Sequence, residues 1–278
     1  NRKGRKIRVL EDNRELKEKT EKAGFMQKEF IKIPVEEKIS LNAYIMKPGD
    51  FTESREYPVL IYVYGGPESQ TVTDSWSHYQ PFFQYLTRQG YIVVSIDNRG
   101  TDGRGESFRK STYMQLGKLE TEDQLKAVEY LADLSYVDAE RIGMFGWSYG
   151  GFMTCLAMTK GEGALKAGIA VAPVTNWRFY DTIYTERFMQ TPAKNAGGYD
   201  NNSPIHFAGD LQGSLYLVHG SADDNVHPQN TFEFADALIR TGKDFQMKVY
   251  PDKNHSIPGR KYRYHLFSGI AGFIAEAL

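Results

Sequence analysis

The stretch Gly146-Trp147-Ser148-Tyr149-Gly150-Gly151 carries the reading of the fold. It follows a short apolar run, Ile142-Gly143-Met144-Phe145, and precedes another, Phe152 to Met158. A Gly-x-Ser-x-Gly pattern set between a strand and a helix predicts a nucleophile elbow. The chain turns sharply there and leaves the serine hydroxyl exposed. Small residues at Gly146 and Gly150 let strand and helix approach closely, and the start of the helix aims its amides where negative charge develops. The same pattern without its flanking elements would be a weak signal.

Short β-rich runs flank the elbow on both sides. The candidate strands are Lys28–Ile33, Ser40–Met46, Val59–Tyr64, Tyr91–Ile96, Ile142–Phe145, Ala167–Ala172, Ser214–Val218 and Gln246–Tyr250. The first two are too close for a helix between them, so they should pair antiparallel. The later ones are continuous apolar runs, as expected of parallel strands buried on both faces. Helical stretches fill the gaps. Gln80–Arg88 stops before Gly90, and Thr121–Leu134 places Leu125, Val128 and Leu131 on one face. Pro228–Arg240 carries Phe232, Ala235, Leu238 and Ile239, and the C-terminal stretch aligns Leu266, Ile270, Phe273 and Ile274. This order predicts an α/β-hydrolase fold: an eight-stranded, mostly parallel sheet with helices on both faces.

The chain has 278 residues with 34 Lys+Arg against 35 Asp+Glu, a formal net charge of −1. That length suits one large α/β domain or two small ones. Near-neutral charge offers no long-range attraction to nucleic acid or anionic membrane, and no apolar run reaches the roughly 18 residues of a membrane span. The single cysteine, Cys155, excludes an intrachain disulfide and a cysteine-based zinc site. It reads as a small core residue in the helix after the elbow. The first 28 residues hold 10 Lys/Arg and 5 Asp/Glu. The interleaved acids favour a solvated linker over a nucleic-acid arm, with a short strand at Lys6–Leu10 and a charged helix at Asn13–Ala23 ending at Gly24. No signal or transit peptide is present in this stretch.

A serine nucleophile needs a base, and the base needs an orienting acid. In this fold the three follow in the order Ser, Asp, His. The run Leu215-Tyr216-Leu217-Val218 leads into His219-Gly220-Ser221-Ala222-Asp223-Asp224-Asn225-Val226-His227, and Gln246–Tyr250 leads into Pro251-Asp252-Lys253-Asn254-His255-Ser256. His255 is the candidate base and His227 the second choice. His219 reads as structural, and spacing leaves Asp223 and Asp224 both open as the acid. Arg99 stands where a calcium loop needs an oxygen ligand in the acidic stretch Asp97 to Gly103, and there is no phosphate-binding Gly-Lys-Ser/Thr loop. No metal or other cofactor is expected.

Together these residues resemble the prolyl oligopeptidase family of serine peptidases, in its dipeptidyl peptidase IV branch. The resemblance runs from about Gly4 to the C-terminus. It includes Arg8 to Asn13, Val63-Tyr64-Gly65-Gly66-Pro67, Asp97-Asn98-Arg99-Gly100-Thr101, the elbow, Ala172-Pro173-Val174, Tyr180-Asp181, Tyr184-Thr185-Glu186-Arg187, Gly220 to His227 and the His255 loop. It implies Ser148 as nucleophile, Asp223 as acid and His255 as base. It further implies an oxyanion hole from the Tyr64 hydroxyl and the Tyr149 amide. Tyr149, Val174, Trp177, Tyr180, Tyr184 and Val226 would wall a small pocket for proline or alanine, with Asn225 donating to a substrate carbonyl.

The activity so implied is release of N-terminal X-Pro or X-Ala dipeptides through an acyl-enzyme. The alternatives are a prolyl tripeptidyl or acylaminoacyl peptidase on the same fold, and an inactive binding or adhesion homologue. The resemblance also implies that residues 1–27 are the end of an absent N-terminal β-propeller plus a linker helix, with the hydrolase domain at 28–278. The expected partners are peptide substrates with penultimate Pro or Ala, that propeller and a second copy in a homodimer. A periplasmic, cell-surface or secreted setting fits the resemblance.

Overall fold

The middle of the chain is built from apolar runs that leave strand residues buried on both faces. The computed structural model describes residues 4–278, so the first three residues of the expected propeller end lie outside the described residues. Its strands are β1 (Glu29–Glu36), β2 (Ile39–Met46), β3 (Tyr57–Val63), β4 (Ile92–Asp97), β5 (Val137–Trp147), β6 (Ala167–Val171), β7 (Ser214–Gly220) and β8 (Gln246–Tyr250). They form one eight-stranded sheet in the order β1-β2-β4-β3-β5-β6-β7-β8. The β1–β2 and β2–β4 pairs are antiparallel and all others parallel, as expected of a chain whose first two strands leave no room for a crossover.

The helices are α1 (Arg14–Lys22), α2 (Gln80–Arg88), α3 (Glu106–Arg109), α4 (Lys118–Ala132), α5 (Tyr149–Lys160), α6 (Thr182–Met189), α7 (Ala196–Asp200), α8 (Gln229–Arg240) and α9 (Arg260–Ala277). Alternation along the strands divides the core between the two faces of the sheet. Val59, Ile61 and Val63 of β3 join side chains of α4, α5 and α8 on one face. Leu60 and Tyr62 join α2 and α9 on the other, through Phe82, Phe83, Leu86, Leu266, Ile270 and Phe273.

Several expected details are corrected. Lys6–Leu10 forms no strand. In α8 the buried stripe runs through Thr231, Phe234, Ala235 and Leu238, while Phe232 and Ile239 are exposed. In α4 the buried face is turned toward Glu120, Asp123, Gln124 and Ala127, alongside Val128 and Leu131, and Leu125 is only half-buried. A stripe read from apolar residues alone misses buried polar groups that carry hydrogen bonds. Asp123, for example, is salt-bridged to Arg99 at 2.6 Å. No residue of α1 is buried. The segment after it docks on the hydrolase body: Met26 exchanges two hydrogen bonds of 2.7 Å with the Gln84 side chain, and Phe25 stacks on Trp76. No described helix is long and apolar enough to cross a membrane.

Candidate active site

The elbow forms at the junction of β5 and α5. Ser148 has φ 61° and ψ −118°, a backbone conformation that costs a non-glycine residue free energy and is held only by its surroundings. Those surroundings are tight. A Cβ on Gly146 would overlap the carbonyl of Gly150, and one on Gly150 would overlap the carbonyl of Val63. The Ser148 amide donates to Val171 O of β6 at 2.8 Å and its carbonyl accepts from Phe152 of α5 at 3.0 Å, locking the turn between β5 and α5. The serine side chain makes no capping hydrogen bond to the helix, so its hydroxyl stays available. The Tyr149 amide lies in the first turn of α5, where amides have no intrahelical acceptor.

Asp223 and His255 sit on loops after β7 and β8, and these loops are laced together. Ser221 N donates to Tyr250 O at 2.9 Å, Ala222 N to Lys253 O at 3.0 Å and Asp252 N to Ser221 Oγ at 2.9 Å. Gly220 permits this approach, since a Cβ there would overlap the Lys253 carbonyl. Asp223, not Asp224, meets His255: His255 Nδ1 lies 2.7 Å from Asp223 Oδ2. Asp224 is exposed, and His227 is exposed, its Nδ1 accepting the Gln229 amide and its carbonyl the amide and carboxamide of Asn230.

The second carboxylate oxygen, Asp223 Oδ1, accepts the amides of Asn225 and Val226, each at 3.0 Å. Burial opposes ionisation of Asp223. The hydrogen bonds from His219 and His255 outweigh burial and hold the carboxyl well below the usual carboxylate range.

Tyr64 follows the end of β3, half-buried, with its ring centroid 6.1 Å from that of Tyr149. Gly66 leaves room for both rings, because a Cβ there would press on each of them. Burial pushes the Tyr64 phenol up, so it keeps its proton and remains a hydrogen-bond donor at neutral pH.

The expected pocket residues gather beside the elbow. Trp177 packs against Tyr149 at 5.5 Å, stacks on Tyr184 at 6.2 Å and meets Tyr180 edge-on at 6.1 Å between ring centroids. Val174 and Val226 are buried in the same core. These side chains are positioned by capped turns: Asn176 accepts the Arg178 amide, and Asp181 accepts the Tyr184 amide at the start of α6. Tyr180 OH donates to Asn225 Oδ1 at 2.7 Å, which orients the Asn225 carboxamide and leaves its NH₂ group as a donor.

Three residues at this site carry more than the sequence reading assigned them. Trp147 Nε1 donates to His255 O at 3.0 Å, tying the elbow to the base loop. Tyr149 OH donates to Glu120 Oε1 at 2.8 Å, and Glu120 is fully buried with Oε2 unpartnered. His219 lies 3.2 Å from Asp223. Glu120 stands one helical turn before Gln124 on the stripe through Ala127 and Leu131, and that register was the available sequence signal.

Residues 77–278 match the prolyl oligopeptidase family. Over 277 residues the chain is 39% identical to prolyl endopeptidase FAP of Bos taurus, covering 97% of this chain and 36% of that protein. It is 39% identical over 273 residues to a probable dipeptidyl-aminopeptidase B of Paracoccidioides lutzii, covering 97% of this chain and 30% of that one. Among solved structures, dipeptidyl peptidase 4 of Porphyromonas gingivalis superposes with TM-score 0.96 at 50% identity, across 100% of this chain and 39% of that one. A putative dipeptidyl aminopeptidase IV from Bacteroides ovatus gives TM-score 0.87 at 38% identity, over 91% of this chain and 36% of that one. The chain thus spans about a third of the length of the curated relatives it matches.

Proposed function

Because this chain belongs to the prolyl oligopeptidase family, we propose that it is the catalytic domain of a serine exopeptidase releasing N-terminal X-Pro or X-Ala dipeptides. The observation that carries the reading is the Asp223–His255 hydrogen bond of 2.7 Å, on loops that follow β7 and β8 beside the strained Ser148 elbow. In this reading Ser148 attacks the carbonyl after the penultimate residue, and His255 takes the serine proton and passes it to the leaving amine. Asp223 fixes the imidazole tautomer and stabilises its charged form. The Tyr64 hydroxyl and the Tyr149 amide receive the oxyanion. The ring cluster of Trp177, Tyr180 and Tyr184 offers flat walls suited to a pyrrolidine ring, and the Asn225 NH₂ group donates to a neighbouring substrate carbonyl.

The N-terminal stretch 1–27 is proposed as the passage from a β-propeller that recognises the substrate's free amine. Support comes from the longer relatives, of which this chain matches 30–39%. The substrate class is tested on the full-length protein with three chromogenic peptides. Free-amine Gly-Pro should be cleaved fastest, ahead of N-blocked Gly-Pro and of Ala-Ala-Pro. Faster cleavage of the blocked peptide would favour an endopeptidase, and faster cleavage of Ala-Ala-Pro a tripeptidyl peptidase. Failure of a fluorophosphonate to label Ser148 would leave a binding homologue.

A further inference from the structure

The carboxylate of Asp223 is held by two imidazoles. Oδ2 lies 2.7 Å from His255 Nδ1 and 3.2 Å from His219 Nε2. With Oδ1 occupied by the Asn225 and Val226 amides, both carboxylate oxygens are held from both sides. His219 is the penultimate residue of β7 and is fully buried. Its Nε2 also lies 2.8 Å from Val226 O, and its Nδ1 lies 2.7 Å from the hydroxyl of Thr231, itself fully buried on α8.

These partners assign the protons. A backbone carbonyl and a carboxylate can only accept, so Nε2 carries the hydrogen. In the neutral ring Nδ1 must then accept, and the Thr231 hydroxyl donates to it. A connected set results: the Thr231 O–H donates to His219 Nδ1, the His219 Nε2–H is shared between Val226 O at 2.8 Å and Asp223 Oδ2 at 3.2 Å, and that same Oδ2 accepts from His255 Nδ1.

We propose that His219, its tautomer locked by Thr231, is a positioning residue that holds the Asp223 carboxylate in place and sets the basicity of His255. This rests on the reading of Ser148, Asp223 and His255 as a catalytic triad. His219 touches neither substrate nor nucleophile and acts through the carboxylate. An N–H donor on Oδ2 spreads the negative charge that Asp223 presents to His255. Without it the carboxylate pairs more strongly with the protonated imidazole, and His255 holds its proton to higher pH. The titratable groups acting on Asp223 are these two imidazoles and, at longer range, the Tyr180 phenol, which burial, Asp181, Tyr64 and Asp223 push up to about 12.

The test is the pH dependence of Ser148 labelling by a fluorophosphonate in the full-length protein. In His219→Leu the labelling rate at neutral pH should fall about tenfold, the scale of a lost hydrogen bond to a charged group. Its acid limb should move up by about half a pH unit. Thr231→Val, which is isosteric and leaves His219 in place, should move the limb the same way by less, and Thr231→Ser should restore it. His219→Gln, which returns an amide donor, should also move the limb back. An unchanged acid limb in both His219→Leu and Thr231→Val overturns the proposal. If His219→Leu does not fold, Thr231→Val against Thr231→Ser decides alone. If wild-type Ser148 is never labelled, the triad reading fails and this proposal falls with it. A labelled wild type with unmoved variants sinks only the role of His219.

Discussion

The indole of Trp147 holds the backbone of His255: Nε1 donates to the His255 carbonyl at 3.0 Å. Trp147 immediately precedes Ser148, so one side chain couples the strained elbow to the loop that carries His255. The Arg263 guanidinium lies over the Trp147 ring at 4.9 Å, adding α9 to the same arrangement. His255 and Ser148 approach from different strands, and a shift of either loop would change their alignment.

Trp147→Phe keeps the aromatic body and removes only the N–H. The expected result is a fall in kcat of about fivefold with KM little changed, since a lost neutral hydrogen bond is worth about 1 kcal/mol. Steady-state kinetics of the full-length protein on a Gly-Pro substrate measures it. A change confined to KM would show that the bond serves substrate binding instead.

Tyr64→Phe tests the oxyanion assignment. Removing one donor of an oxyanion hole costs on the order of 10²–10³ in kcat. Tyr64 is only half-buried and its neighbours are rings, so the variant should fold with an unfolding midpoint close to wild type. Wild-type turnover in this variant would remove Tyr64 from the mechanism.

Glu120 makes stability depend on pH. Burial, working against hydrogen bonds from the backbone and from Tyr149, pushes its carboxyl from the ordinary 4.5 up to about 8. The folded chain therefore favours the protonated form. That contribution is complete below about 4.5 and is lost as pH rises through about 8. Glu120→Gln removes the titration and keeps an acceptor for Tyr149. The wild-type unfolding midpoint should fall relative to that of the variant as pH rises between those two values. A constant gap across that range would place Glu120 outside the titrating groups.

Gly220→Ala tests the lacing of the two loops. The new methyl would collide with the Lys253 carbonyl, so the His255 loop must move away from Asp223. Overpacking of this kind costs about 1–3 kcal/mol, and activity should fall more than stability does. Comparing kcat/KM with the denaturation midpoint separates the two. Gly242→Ala, where a Cβ meets nothing within 4 Å, measures the separate cost of a side chain at φ 70°.

Much of this molecule was legible in the linear chain. Strands buried on both faces announce themselves as continuous apolar runs, and β8 falls at Gln246–Tyr250 as expected. The elbow is a local object, because its glycines, serine and flanking elements lie within about a dozen residues. The order of Ser148, Asp223 and His255 could likewise be listed from strand ends. The buried faces of α4 and α8 were read less well. Glu120, Asp123 and Gln124 are polar, and polarity hides a residue from a pattern built on apolar spacing.

What the sequence by itself determined is the sheet, the elbow and the short set of residues able to carry the chemistry. These depend on local steric demands and on the period of burial, both of which are written in neighbouring positions. Spacing along the chain left Asp223 and Asp224 open and a family resemblance chose between them; the tertiary structure set Asp223 against His255, tied Trp147 to the His255 loop and brought His219 with Thr231 onto the Asp223 carboxylate. Those choices rest on hydrogen bonds between residues far apart in the chain or on different elements. A bond of 2.7–3.2 Å is a property of how strands and loops are placed in space, which spacing along the chain does not encode.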